Sequence, residues 1–140
     1  MEFSGPVGEA LLQKLHSEQV VWFTTVNSRG VPQPRLVWFV WDGAEIVVYS
    51  QPNAWKVRHI RTNPNVAVHF NSDPFGDNFQ VIIGKVRIDG SAPLVIDLPP
   101  YLEKYREGIH ALDMDEESYS RTFSTAIRVR PVYFRGLDPI

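Results

Sequence analysis

In residues 49 to 70, YSQPNAWKVRHIRTNPNVAVHF, four cationic or titratable side chains (Lys56, Arg58, His59 and Arg61) crowd together in a chain whose formal net charge is −2. Asn53 is a suitable N-cap, and Ala54 to Thr62 predict about two turns of helix, stopped by Asn63-Pro64, with Val57 and Ile60 as the inward stripe. Lys56 then lies in the first turn, at the positive end of the helix dipole, where a cation costs roughly 0.3–1 kcal/mol. A bound phosphate would offset that cost, because free backbone N–H groups, the dipole and two cations would converge on one dianion. A solvated charge run is the other reading this pattern allows, since exposed Lys and Arg near helix starts are individually worth little. Two features favour the phosphate. The preceding strand ends in the short polar pair Ser50-Gln51, and the chain has neither GxGxxG nor GxxxxGK[ST] to hold a phosphate elsewhere.

Other chemistries are poorly provided for. There is no cysteine, which removes disulfides, thiol nucleophiles and thiolate-ligated metals together. His16, His59, His69 and His110 show no metal-ligand spacing, so no metal site is expected; there is no HExxH, and no serine stands in a GxSxG elbow. The carboxylates of DMDEES, Asp113 to Ser118, read as a helix start. No side chain stands out as nucleophile or base, so the chemistry would fall to a bound cofactor.

The elements that must position such a site are mostly strands. Leu11, Leu12 and Leu15, with Val7 one turn earlier, predict an opening helix ending near Ser17. Strand patterns follow at Val20 to Val26, Val31 to Trp41 and Glu45 to Ser50, with the turn NSRG between the first two and Asp42-Gly43 predicting a type I′ hairpin. The run LVWFVW, Leu36 to Trp41, is apolar on both faces, so its outer face must be covered by a helix or by another subunit, and dimerisation is the reading preferred. Further strands are expected at Asn65 to Phe70, at Asn78 to Gly90 with a bend or bulge at Gly84, and at Ala126 to Phe134, where Pro131 implies an edge or a bulge. Two helices, from Pro99-Pro100 and within DEESYSRTF, precede that last strand. The expectation is a mostly β fold with peripheral helices: a small antiparallel barrel of six strands.

Composition sets the frame. A chain of 140 residues, 44% hydrophobic and 21% charged, is most simply one domain spanning 1–140. Its slight negative charge argues against a nucleic-acid or membrane-surface binder, so any anion site must be local. The N-terminus lacks the basic and apolar regions of a secretory leader, no apolar run could span a bilayer, and the absence of cysteine points to the cytoplasm.

The stretches TTVNSRGVPQPRLVWFVWDG, VVYSQPNAWKVRHIRTNPNVAVHF, VIIGKVRIDG and YLEKYREGI together resemble the flavin-binding split-barrel superfamily of pyridoxamine 5′-phosphate oxidase, and within it the actinobacterial deazaflavin-dependent branch. The resemblance covers roughly residues 9 to 136. It implies a homodimer with two cofactor sites at the subunit interface. Lys56 and Arg58 would hold the cofactor phosphate, Gln33, Leu36, Val37 and Trp38 would border the ring, and Tyr49, Ser50 and Gln51 would line its side. The implied cofactor is deazaflavin F420, with Arg61 as an outer contact for its phosphorylated, glutamylated tail; FMN is the alternative. The implied activity is an oxidoreductase delivering hydride to a small unsaturated or quinone-like substrate near Trp22, Trp38 and Trp41, although packing is the plainer role for those tryptophans. An FMN-dependent reductase or oxidase, and a non-catalytic flavin- or haem-binding protein, are the alternatives. His59 stands where the family usually has Asn, Ile83-Gly84-Lys85-Val86 replaces an acidic-Gly-x-Ala step, and the C-terminal Arg/His substrate motif is missing, so vitamin B6 oxidation is not implied.

Overall fold

The computed structural model describes residues 1–137; residues 138–140 of the expected domain lie outside the described residues. α1 (Gly5–Ser17) opens the chain, followed by β1 (Val21–Val26), β2 (Pro32–Val37), β3 (Val40–Trp41), β4 (Ile46–Ser50), α2 (Trp55–Thr62), β5 (Asn65–His69) and β6 (Phe79–Ile88). A short 3-10 turn at Val95–Asp97 leads into α3 (Pro99–Ala111), α4 (Glu116–Thr122) and β7 (Thr125–Leu137).

The strands form one antiparallel sheet in the order β2-β1-β5-β6-β7-β4-β3. Its two edge strands, β2 and β3, are consecutive in the chain and separated only by Trp38 and Phe39. The sheet must therefore curl until its edges come together. Since β2 and β3 are not ladder partners, the barrel stays split along that seam.

Seven strands stand where six were expected, because the stretch 31–41 breaks at Trp38-Phe39. The break is made by α3. The Phe39 N–H donates to the Tyr105 hydroxyl at 2.8 Å, and the Phe39 carbonyl accepts from Lys104 Nζ at 2.9 Å. The Tyr105 hydroxyl lies 2.8 Å from the carbonyls of both Phe39 and Gln19, to one of which it donates. With its backbone groups satisfied by side chains, Phe39 needs no neighbouring strand and can turn the corner.

Inside the curl, α1 contributes Leu11 and Leu15 and α2 contributes Val57 and Ile60 to a core with Phe23, Phe39, Ile46, Ile82 and Ile127. A second core lies outside, where α3 and α4 cover β3, β4 and β7 with Tyr101, Tyr105, Ile109 and Tyr119 against Val40, Val47 and Tyr49. β4 is consequently buried along its whole length. The cover expected over Leu36 to Trp41 thus comes from the chain's own helices for Trp38 and Val40. Trp38 stacks on Tyr105 with ring centroids 4.6 Å apart and 4° between planes, and on Tyr119 at 5.7 Å. Leu36, on the same face, is left 49% exposed.

Two local features complete the frame. At the bend in β6, Ile83 pairs with Tyr133 and Gly84 with Pro131, which leaves Val132 as the extra residue of a bulge. A Cβ on Gly84 would lie 2.8 Å from the Arg130 carbonyl oxygen, and Pro131, which has no N–H to donate, sits in the same bulge. The Asp42-Gly43 turn is not type I′: Gly43 alone takes a positive φ (98°), the Asp42 N–H donates to Glu45 O at 3.1 Å, and the Asp42 carboxylate accepts from the N–H groups of Ala44 and Glu45.

Candidate functional site

α2 begins one residue later than expected. The Ala54 N–H donates to the Gln51 carbonyl at 3.2 Å, which closes a turn, holds Asn53 inside it and makes Ala54 the N-cap. Among the described residues no side chain caps the helix. Val57 and Arg58 donate their N–H groups to Ala54 O, whereas those of Trp55 and Lys56 have no partner among the described residues.

Across from this helix stands the β1–β2 hairpin, and the two enclose a groove of about 640 Å³. The register pairs Thr25 with Gln33 and Phe23 with Arg35, so Gln33 and Arg35 lie on the same side of the hairpin as buried Thr25. Arg29 sits in the turn, which is closed by hydrogen bonds from the Arg29 and Val31 N–H groups to Asn27 Oδ1. Four cations therefore line the groove: Arg29 and Arg35 from the hairpin, Lys56 and Arg58 from α2. Among the described residues no carboxylate lines it, and none of the four makes an ion pair. Arg58 lies over the Trp55 ring, 4.9 Å from its centroid. Lys56 is half-buried; burial first, and then the charge of Arg35, push its pKa below the ordinary lysine range. Cations crowded in this way, without counter-charge, would gain from any anion that entered.

His59 completes the wall, its Nδ1 2.8 Å from the Thr25 hydroxyl and its ring stacked near that of Trp55. On the other side of Lys56 is a second space of about 180 Å³, lined by Leu36 and Val37 of β2, Trp38 at the strand break, Tyr49 of β4, Tyr119 of α4, and Leu112 and Phe123 just past the ends of α3 and α4. Lys56 lines both, so the charged groove and the aromatic pocket meet at its side chain. Burial raises the pKa values of Tyr49 and Tyr119, whose neutral rings thus present an uncharged wall. The Tyr49 hydroxyl donates to Pro93 O, and that of Tyr119 lies 2.7 Å from the Tyr101 hydroxyl.

Of the residues singled out by sequence, Gln33, Lys56 and Arg58 meet in the groove, and Leu36, Val37, Trp38 and Tyr49 meet in the pocket. Ser50 does not: it is buried, and its hydroxyl donates to Gln51 O at 3.0 Å. Gln51 and Arg61 are exposed and line neither space. Arg29, Arg35, Trp55 and the residues from α4 and its flanks were not anticipated. The signal for Arg35 was present, since it alternates with Gln33 along β2 and must share its face. Among the described residues no cluster could hold a metal ion, and no helix is long and apolar enough to cross a membrane.

The sequence matches the family described as pyridoxamine 5′-phosphate oxidase over residues 7–137, and the chain belongs to that family. A candidate pyridoxamine 5′-phosphate oxidase from Listeria innocua superposes with a TM-score of 0.70 at 24% identity, covering 94% of this chain and 98% of that one, which supports the fold. An F420 reductase superposes with a TM-score of 0.67 at 25% identity, covering 88% and 94%. General stress protein 26 of Bacillus subtilis (strain 168) is 30% identical over 90 residues. That match spans 63% of this chain and 64% of the relative, less than two thirds of its length.

Proposed function

We propose that this member of the pyridoxamine 5′-phosphate oxidase family is an oxidoreductase that binds reduced deazaflavin F420, with FMN as the alternative, and passes hydride to a small unsaturated or quinone-like substrate. The observation that carries the reading is the groove itself: four cations, no carboxylate among the described residues, and an aromatic pocket that shares Lys56 with it. A cofactor with a flat ring at one end and phosphate at the other matches that division. Lys56, Arg58 and the free N–H groups at the start of α2 would hold the phosphate. Arg29 and Arg35 exceed what one phosphate dianion needs and suit the further negative charge of a glutamylated tail, which favours F420 over FMN. The likeness to an F420 reductase supports the same choice.

The bound cofactor would supply the hydride. The chain's share is to orient the ring against Leu36, Val37 and Trp38, to keep water from it with Tyr49, Tyr119 and Phe123, and to neutralise the phosphate end. Leu36 and Trp55 are 49% and 67% exposed at the rims of the two spaces, and a second copy of the chain covering them would complete a homodimer with two sites. The test is anaerobic. Reduced F420 is mixed with the protein and a naphthoquinone, and the return of the oxidised absorbance is followed. Reoxidation faster than in protein-free solution is expected. A cofactor that binds and is never reoxidised faster would make the protein a carrier.

A further inference from the structure

We propose that Thr25 holds His59 in the neutral tautomer whose Nε2–H is free to donate into the groove, which makes His59 an uncharged hydrogen-bond donor to the bound anion. This rests on the anion-site reading above. Thr25 is 2% exposed, and its hydroxyl has one hydrogen-bond partner among the described residues, His59 Nδ1 at 2.8 Å. A buried hydroxyl proton aimed at no acceptor is costly, so the hydroxyl donates and Nδ1 carries the lone pair. The ring proton then belongs on Nε2.

Nε2 has no partner among the described residues and is not among the buried polar atoms left unpaired, so it keeps some exposure on a residue that lines the groove. The Trp55 ring lies beside the imidazole, its centroid 6.4 Å away and its plane tilted by 28°. The charged groups that line the groove with it are Lys56 and Arg58 from α2 and Arg29 and Arg35 from the hairpin, while the β1 residue in that lining is Thr25. A neutral N–H among these cations gives an anion one more hydrogen bond without a fifth like charge. Thr25 is thus a positioning residue and His59 a ligand-contacting one.

The tautomer is read first, on ligand-free protein carrying 15N-labelled histidine, from the two- and three-bond proton–nitrogen couplings of the signal that disappears in His59→Gln. The wild type should show the proton on Nε2, and Thr25→Val should lose that single form. Pyrophosphate is then titrated into the wild type, Thr25→Val, His59→Gln, His59→Phe and Lys56→Ala. His59→Gln, whose amide can still donate, should stay within about 2-fold of wild type, and His59→Phe should bind roughly 5-fold more weakly, the worth of one neutral hydrogen bond. A wild-type proton on Nδ1 would overturn the proposal. So would a His59→Phe protein that binds as tightly as wild type while Lys56→Ala is weakened, a result that leaves the anion site standing. Pyrophosphate binding by none of the proteins would remove the anion site itself.

Discussion

Lys56→Met should make the ligand-free protein no less stable and the cofactor complex weaker, two effects of opposite direction from one side chain. Methionine keeps most of the chain's length and apolar packing and removes only the charge. In the folded protein, burial and then Arg35 lower the Lys56 pKa from its ordinary value of 10.5, so folding disfavours the charged form. That penalty is fully present at neutral pH and is relieved as the pH rises towards and past 10.5, a gain in stability that Lys56→Met cannot show. At neutral pH the variant should therefore melt at or above the wild type. Binding moves the other way. A charge-assisted hydrogen bond contributes roughly 1.5–3 kcal/mol; for a half-exposed ammonium with Arg58 still in place, about 1–2 kcal/mol is a fair discount, a loss of roughly 5- to 30-fold in affinity. F420 fluorescence titrations at about 0.05 M and about 0.5 M salt would read this, with the deficit shrinking at the higher salt as screening shortens the reach of the charge. A variant that binds F420 like the wild type, or that melts several degrees lower, would refute the reasoning, since the second result would mean that the ammonium has a stabilising partner in the free protein.

Three further outcomes follow from the packing. Tyr105→Phe leaves the Phe39 N–H at the strand break without its acceptor and should cost roughly 1–3 kcal/mol, read by denaturant unfolding; an unchanged midpoint would mean that the break has another support. Gly108→Ala would place a Cβ 3.0 Å from Trp38 Cη2, so it should shift the Trp38 ring, change the tryptophan emission and disturb the aromatic pocket while leaving pyrophosphate affinity within about 2-fold, because the charged groove is not touched. Asp89, hydrogen-bonded by Arg128 Nε at 2.7 Å and by Ser91, has its pKa held down to about 2, below the ordinary 3.8. Its contribution is present above about pH 4 and is lost as the pH falls towards 2, so Asp89→Asn should flatten the acid limb of the stability profile, as urea unfolding at stepped pH would show.

Period-two patterning placed nearly every strand, and Gly84 and Pro131 marked the bulge, because these are local signals that tertiary contacts had no cause to override. The break at Trp38-Phe39 was not legible. LVWFVW contains no turn residue, and what interrupts it is the hydroxyl of Tyr105 and the ammonium of Lys104, far along the chain. Asn53 misled for a similar reason: by propensity it is a better cap than Ala54, but the turn closed by Gln51 O takes it first. The same division holds at the site. Lys56 and Arg58 were visible as a cluster in sequence, whereas Arg29 and Arg35 join them only through the β1–β2 register, and Tyr119 and Phe123 only through the docking of α4. Ser50 was expected in the site from its place at the end of a strand, but β4 is covered on both faces and Ser50 is buried with it.

The most direct test of the account is a parallel fluorescence titration of the ligand-free protein with F420 and with FMN, each repeated against pyrophosphate as competitor. The four uncompensated cations and the adjoining aromatic pocket predict that F420 binds more tightly than FMN and that pyrophosphate displaces both. Tighter binding of FMN would contradict the assignment of Arg29 and Arg35 to an extended anionic tail, and binding of neither would contradict the cofactor site as a whole.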